Sequence, residues 1–283
     1  MSRVAIVTDS ASDLPPAAAA AAGIEIVPLI VSFGSQTYKA GVELSTNEFW
    51  RRMTAPDAPF PTTAASSPGD FKAIYERCFA AGASAIVSVH VAGTLSGTIK
   101  SAEIGRSMLP DRDIRVVDSG SASMGQGILA QLGAEMAARG GGAADIATTL
   151  DDRKADLDLY VALDTLAYLK KGGRISGAQA AIGTLLSVKP IITIRDGLVH
   201  TADKPRTRGK ARERVLALLT QRPIERLAVL HTPPADGEAF RREALARLAG
   251  KLDPANVSIQ LVGPSVGPHI GPGCVGGVVL YAR

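Results

Sequence analysis

The chain has 283 residues, 46% of them hydrophobic and 20% charged, a balance that belongs to a globular protein and excludes a disordered or collagen-like one. Its net charge of +4 is local: residues 204–214 (KPRTRGKARER) hold six basic residues and one acidic, and residues 170–174 (KKGGR) hold three basic. Elsewhere 22 basic residues face 26 acidic ones, so the body is mildly acidic and argues against a nucleic-acid binder, which would spread its positive charge.

In chain order, RVAIVTD (3–9) is a short apolar strand, broken by SASDLPP, and the alanines at 17–22 form a helix stopped by Gly23. IEIVPLIVSF (24–33) is a second strand region, and GSQTYKAG after it is a hairpin or crossing loop. Residues 45–53 and 68–81 are helical. Ser67 with Asp70 three positions on forms a capping box with Asp in place of Glu. ASAIVSVHV (83–91) is a buried strand, followed by a helix over 96–108, a strand at 114–118 and a helix over 123–138. This strand–helix alternation predicts a doubly wound parallel sheet.

The second half is patterned differently. A strand region at 157–165 leads through LAYLKKGGRISG, helix passing to loop, into a helix of small residues at 178–186. Two extended runs in 189–207 flank Asp196-Gly197, a hairpin signal. A helix (207–219), a strand (226–231), a helix (236–250), a strand (257–262) and a final strand (275–282) complete a second α/β unit with a mixed sheet. The boundary is expected near residue 155, giving an N-terminal parallel domain (1–155) and a C-terminal mixed domain (156–283). Only Cys78 and Cys274 are present. The N-terminus enters a strand after one Arg instead of a secretory segment, and no run of 18 apolar residues occurs, so a cytoplasmic chain without a membrane-spanning segment and with reduced thiols is expected.

Three first-half strands end in loops of hydroxyl and Gly residues that open helices, at 8–12, 92–98 and 118–123. Any one such loop is explained by helix capping. Three on one rim of a parallel sheet point to a small polar or anionic ligand outside the carboxyl ends of the strands. The loops hold neither GxxxxGK[ST] nor a GxGxxG that follows a strand, so a nucleotide is disfavoured and a carboxylate suits them better. No cofactor is expected. Gly263-Pro264-Ser265-Val266-Gly267 matches the GxSxG elbow, but Pro268 and Pro272 follow, so no helix is expected to start there and the match reads as a turn. The four histidines, at 90, 200, 231 and 269, show no metal spacing. His90 and His231 read as core residues. His269, before Ile270-Gly271-Pro272-Gly273, suits equally a ligand-facing imidazole and a solvated turn.

These blocks, in this order, resemble the DegV family of bacterial fatty-acid-binding proteins: VTDSASDLP (7–15), TLSGTIKSA (94–102), LKKGGRISG (169–177), PRTRGKA (205–211) and HIGPGCVG (269–276). The resemblance spans nearly the whole chain. It implies two α/β domains with a long-chain fatty acid between them, the acyl chain in an apolar tunnel. It also implies that the protein is no enzyme and presents the carboxylate to a separate fatty-acid kinase, which makes an acyl phosphate for phospholipid synthesis. Carried over residue by residue, Thr63, Thr94, Ser96 and His269 are assigned to the carboxylate, and Arg174 and Arg206 to the kinase-facing surface or the acyl-phosphate charge. The family's Thr-Ser-Gln-Pro-Ser segment reads Thr63-Ala64-Ala65-Ser66-Ser67 here, and its Ser-Ser pair reads Ala92-Gly93, so two head-group hydroxyls are replaced. The alternative is an enzyme, either a small-molecule hydrolase using Ser265 or a carbonyl-substrate enzyme using His269.

Overall fold

The first apolar run forms β1 (Val4–Asp9), which lies inside a sheet and is buried along nearly its whole length. In the computed structural model residues 3–175 and 188–283 are described, so the helix expected over 178–186 lies outside the described residues. After β1, Asp9 accepts the Ala11 N–H and starts a 3-10 turn at Ser10–Ser12. Pro16 opens α1 (Pro16–Ala21) at a position where its missing N–H costs nothing.

The region 24–33 is two strands in different sheets: β2 (Ile24–Val27) pairs parallel with β1, and β3 (Ile30–Phe33) joins a separate antiparallel sheet. Pro28 between them has no N–H for a ladder, and the Leu29 N–H is taken by the Ser10 hydroxyl at 2.8 Å. The following segment forms β4 (Gln36–Lys39), which closes a hairpin on β3. β5 (Thr62–Ala64), which the sequence reading missed, pairs on the other side of β3. Between them lies α2 (Thr46–Met53), capped by Ser45.

The capping box of α3 (Pro68–Ala80) is present in both directions between Ser67 and Asp70. The buried strand β6 (Ala85–His90), α4 (Thr98–Ser107), β7 (Asp113–Asp118) and α5 (Met124–Ala138) follow as expected. The parallel sheet has the order β2-β1-β6-β7. One helix was not anticipated, α6 (Ala143–Arg153); it starts after three glycines and buries Ala143, Ile146 and Leu150, which share one helical face.

The C-terminal half supplies β8 (Leu157–Ala162), α7 (Ala167–Lys171), β9 (Ile191–Arg195), β10 (Leu198–Asp203), α8 (Arg208–Leu219), β11 (Ile224–His231), α9 (Gly237–Arg247), β12 (Val257–Leu261), α10 (Gly267–Ile270) and β13 (Val275–Tyr281). Their strands form one mixed sheet in the order β10-β9-β8-β13-β11-β12, in which only β11 and β12 pair in parallel. Asp196 and Gly197, both at positive φ, make the β9–β10 turn that the sequence signalled. The expectation that no helix could follow Ser265 is corrected by α10: Pro268 sits in its first turn, where proline is tolerated. All strands of the parallel sheet precede residue 119, and all strands of the mixed sheet follow residue 156.

The two sheets share a core. Ile128 and Leu129 of α5 belong to one buried cluster with Ile6 and Val87 of the parallel sheet and with Leu159, Val161, Ala228 and Val278 of the mixed sheet. Such a helix must be apolar on most faces and thin on some. At Gly127 a Cβ would lie 2.8 Å from the Ser12 carbonyl oxygen, so only glycine lets α5 approach that loop. Among the described residues no helix is long and apolar enough to cross a membrane.

Candidate functional site

A cavity opens where the carboxyl ends of the parallel strands face the mixed sheet. It encloses about 920 Å³ of non-atom space, open solvent included. Its walls are aliphatic: Leu29, Val91 and Leu95 on one side, and Leu159, Val161, Ile192, Ile194, Val199 and Leu230 on the other. All three hydroxyl-rich loops reach it, through Ala11, through Leu95 to Gly97, and through Ala122 and Ser123.

Four polar residues form a half-buried grouping on the wall: Thr63 of β5, Ser96 before α4, Arg174 after α7 and His269 of α10. Thr63 Oγ1 lies 2.9 Å from His269 Nε2, joining residues 206 positions apart. Burial, with the Arg174 charge second, pushes the His269 pKa down to about 4, so the imidazole is neutral at neutral pH. Its Nδ1 has no partner among the described residues. If Nε2 carries the proton, it donates to Thr63 and leaves the Thr63 O–H directed elsewhere. The ring also explains the first glycine of KKGGR, because a Cβ on Gly172 would lie 2.3 Å from His269 Nδ1.

Arg174 donates from Nε to the Leu95 carbonyl (3.0 Å) and from Nη1 to the Gly172 carbonyl (2.7 Å). Two of its five N–H donors thus orient the guanidinium, and the other three have no partner among the described residues. Of the two roles expected of Arg174, the kinase-facing surface or the acyl-phosphate charge, its place fits the second better: it lines the same cavity as Thr63 and His269. Arg206 is exposed ahead of α8 and lines no part of the cavity. Thr94 departs from the carboxylate assignment. Its hydroxyl donates to the Gly197 carbonyl in the β9–β10 turn, tying the first-half loop to the second-half hairpin outside the cavity.

The replaced family positions have plain geometry. Ala64 and Ala65 both line the cavity, with no hydroxyl to offer. Gly93 donates its N–H to Asp118 Oδ2 at 3.0 Å, and a Cβ there would lie 3.1 Å from that oxygen. Asp118 thus crowds the space that a serine at position 93 would need.

Ser265 Oγ lies 2.8 Å from Ser10 Oγ, and no base contacts it among the described residues. A serine paired to another hydroxyl is not an activated nucleophile, which removes the support for a Ser265 hydrolase. A Ser–His–Asp line does exist elsewhere: His90 Nδ1 is 2.9 Å from Asp9 Oδ2 and its Nε2 is 2.6 Å from Ser88 Oγ. All three residues are 0% exposed, and Tyr75 donates to Ser88 from behind. His90 is a satisfied core residue, as its apolar strand implied. Both cysteine thiols are buried and unpaired.

Sequence reasoning missed Asp13. It sits at positive φ (53°) and accepts from Ser123 Oγ (2.5 Å) and from the Gly263 N–H (2.8 Å). Desolvation, only partly offset by those two hydrogen bonds, raises its pKa to about 7. The only sequence signal is its place in the loop after β1; its partners are 110 and 250 positions away.

Half of the basic residues in the stretch 204–214 are neutralised in place. Arg208 pairs with Asp164, Arg212 with Glu243 at 2.8 Å and Arg214 with Asp203 at 2.7 Å. Among the described residues Lys204, Arg206 and Lys210 form no ion pair.

Comparison with known proteins agrees with this geometry. Residues 3–282 match the family described as "Uncharacterised protein, DegV family". A DegV domain-containing protein of Streptomyces coelicolor is 37% identical over 286 residues, covering 99% of each chain. The structure of a fatty-acid-binding DegV family protein from Thermus thermophilus superposes with a TM-score of 0.90 at 34% identity, over 99% of this chain and 100% of that one. A stearic-acid-binding protein from Eubacterium ventriosum superposes with a TM-score of 0.87 at 29% identity, over 99% of this chain and 98% of that one. Matched along almost its entire length in sequence and in fold, the chain belongs to the DegV family.

Proposed function

We propose that the protein binds a long-chain fatty acid in the aliphatic cavity and presents its carboxylate to a separate fatty-acid kinase in the cytoplasm. In this reading residues 1–155 and 156–283 are two lobes that hold the ligand between them. The observation that carries it is an aliphatic cavity whose half-buried polar grouping contains donors and, among the described residues, no carboxylate of its own. Burying about 14 methylenes at about 0.8 kcal/mol each gives on the order of 11 kcal/mol before the cost of association. The ligand carboxylate must then be hydrogen-bonded, or its desolvation would cancel several kcal/mol. The Thr63–His269 pair, which spends one of its two hydrogens between its members, and Ser96 supply neutral donors, and Arg174 supplies charge-assisted ones.

The fatty-acid-binding relatives support the ligand class. The kinase step is part of the proposal: a carboxylate oxygen attacks the γ-phosphorus of ATP, ADP departs, and the catalytic groups belong to the partner. Arg206, exposed and outside the cavity, is assigned to that partner's surface. Extraction of the purified protein followed by lipid mass spectrometry tests the first half. A ligand-free protein that also takes up no added fatty acid refutes it. For the second half, Arg206→Ala is expected to impair acyl-phosphate formation by an added kinase more than fatty-acid binding. Equal loss of both would return Arg206 to a ligand or structural role.

A further inference from the structure

The cavity wall carries a second polar grouping besides the half-buried one, and a single carboxylate can fill only one. Ser123 and Ser265 both line the cavity, and they are buried, at 2% and 6% exposure. The same acid holds both in place: the Asp13 carboxylate accepts from Ser123 Oγ at 2.5 Å and from the N–H of Gly263, which begins the turn carrying Ser265, at 2.8 Å. Ser265 Oγ meets Ser10 Oγ at 2.8 Å, and Ser10 Oγ also accepts the Leu29 N–H.

Counting donors and acceptors shows what is left over. Ser123 donates its hydrogen to Asp13, so its oxygen lone pairs have no donor among the described residues. Ser265 has one partner. If it donates to Ser10 its lone pairs are unfilled, and if it accepts from Ser10 its own hydrogen is unspent. In either state two buried serine oxygens keep hydrogen-bonding capacity inside an otherwise aliphatic wall. A plain methylene chain cannot use it, and a carbonyl could only accept. A hydroxyl, which both donates and accepts, suits Ser123 and either state of Ser265.

We propose that Ser265, with Ser123, selects acyl chains bearing a hydroxyl group, so that the preferred ligand class is a hydroxy fatty acid. This rests on the fatty-acid reading of the cavity and adds a specificity-determining residue to it. The Ser10–Ser265 contact then has a second role beyond tying the β1 loop to the turn before α10.

The test uses delipidated full-length protein, octadecanoic acid and a positional series of hydroxyoctadecanoic acids. At least one isomer is expected to bind about tenfold more tightly than the unsubstituted acid. Ser265→Val should abolish that preference, so that the favoured isomer and octadecanoic acid bind the variant equally well, and Ser265→Thr, which keeps the hydroxyl, should retain it. If Ser265→Val is unfolded by thermal denaturation, Ser265→Ala takes its place. Absence of any preferred isomer, or equal loss of both ligand types in the variants, overturns the proposal and leaves the serines as structural ties. Failure of every acyl ligand to bind would be a different result, because it removes the fatty-acid reading as well.

Discussion

Two histidines in this protein each meet a hydroxyl, yet their surroundings differ in every other respect. His90 lies between Ser88 and Asp9 in the parallel sheet, with no exposed surface and a partner on each ring nitrogen. His269 touches Thr63 through one nitrogen, has no partner on the other among the described residues, and lines the cavity. The first arrangement has the geometry of a catalytic line and no access to a substrate. The second has access and lacks the acid. A neutral imidazole, two hydroxyls and a guanidinium make a site to which the ligand itself brings the carboxylate.

The largest expected effect lies at the closed site. Asp9 accepts from the Ala11 and Val91 amides, from His90 and from Gln126. Asp9→Ala leaves these donors buried and unpaired, and should destabilise the protein by about 3–5 kcal/mol in urea denaturation. A loss under 1 kcal/mol would mean that the network is not structural. At the open site the balance reverses. Thr63→Val and His269→Ala should weaken fatty-acid binding by roughly 10–100-fold, the worth of a hydrogen bond to a charged group, with little change in unfolding midpoint.

The pH response separates the cavity groups further. His269 has a folded pKa of about 4 against an ordinary 6.5. The unfolded chain therefore binds a proton between those values that the folded one does not, and this contribution to stability is lost as the pH falls from 6.5 towards 4. Asp13 works in the opposite sense. Its folded pKa of about 7 exceeds the ordinary 3.8, so its contribution is lost as the pH rises from 3.8 to 7. Difference stability curves for His269→Gln and Asp13→Asn across pH 4–7 should slope in opposite directions. Curves parallel to wild type in both variants would refute these assignments. The smallest effect belongs to Thr94→Val, which removes the tie to Gly197. It should cost about 1 kcal/mol of stability and leave ligand affinity unchanged, whereas a large affinity loss would restore Thr94 to the head group.

Much of the fold was legible because its signals are local. The Ser67–Asp70 capping box, the Asp196-Gly197 turn and the apolar runs of β1 and β6 each depend on neighbours within a few residues. The misread parts depend on partners far away. Region 24–33 looks like one strand until the Ser10 hydroxyl claims the Leu29 amide beside Pro28, and Thr94 looks like a ligand residue until the hairpin 103 positions later claims its hydroxyl. Arg174 was legible only as a basic position of the family resemblance; two backbone carbonyls hold it on the cavity wall.

The amino-acid order by itself determined most of the element types, the parallel and mixed halves, the hydroxyl-rich rim and the DegV resemblance, since helix caps, turns and apolar periodicity act over short stretches of chain. Only the tertiary structure decided which polar groups are spent and which are left for a ligand. A hydroxyl or guanidinium is exhausted or available according to what approaches it in space. Here the approaching groups are Ser10 for Ser265, Asp13 for Ser123 and Asp164 for Arg208, each brought near by the packing of distant segments.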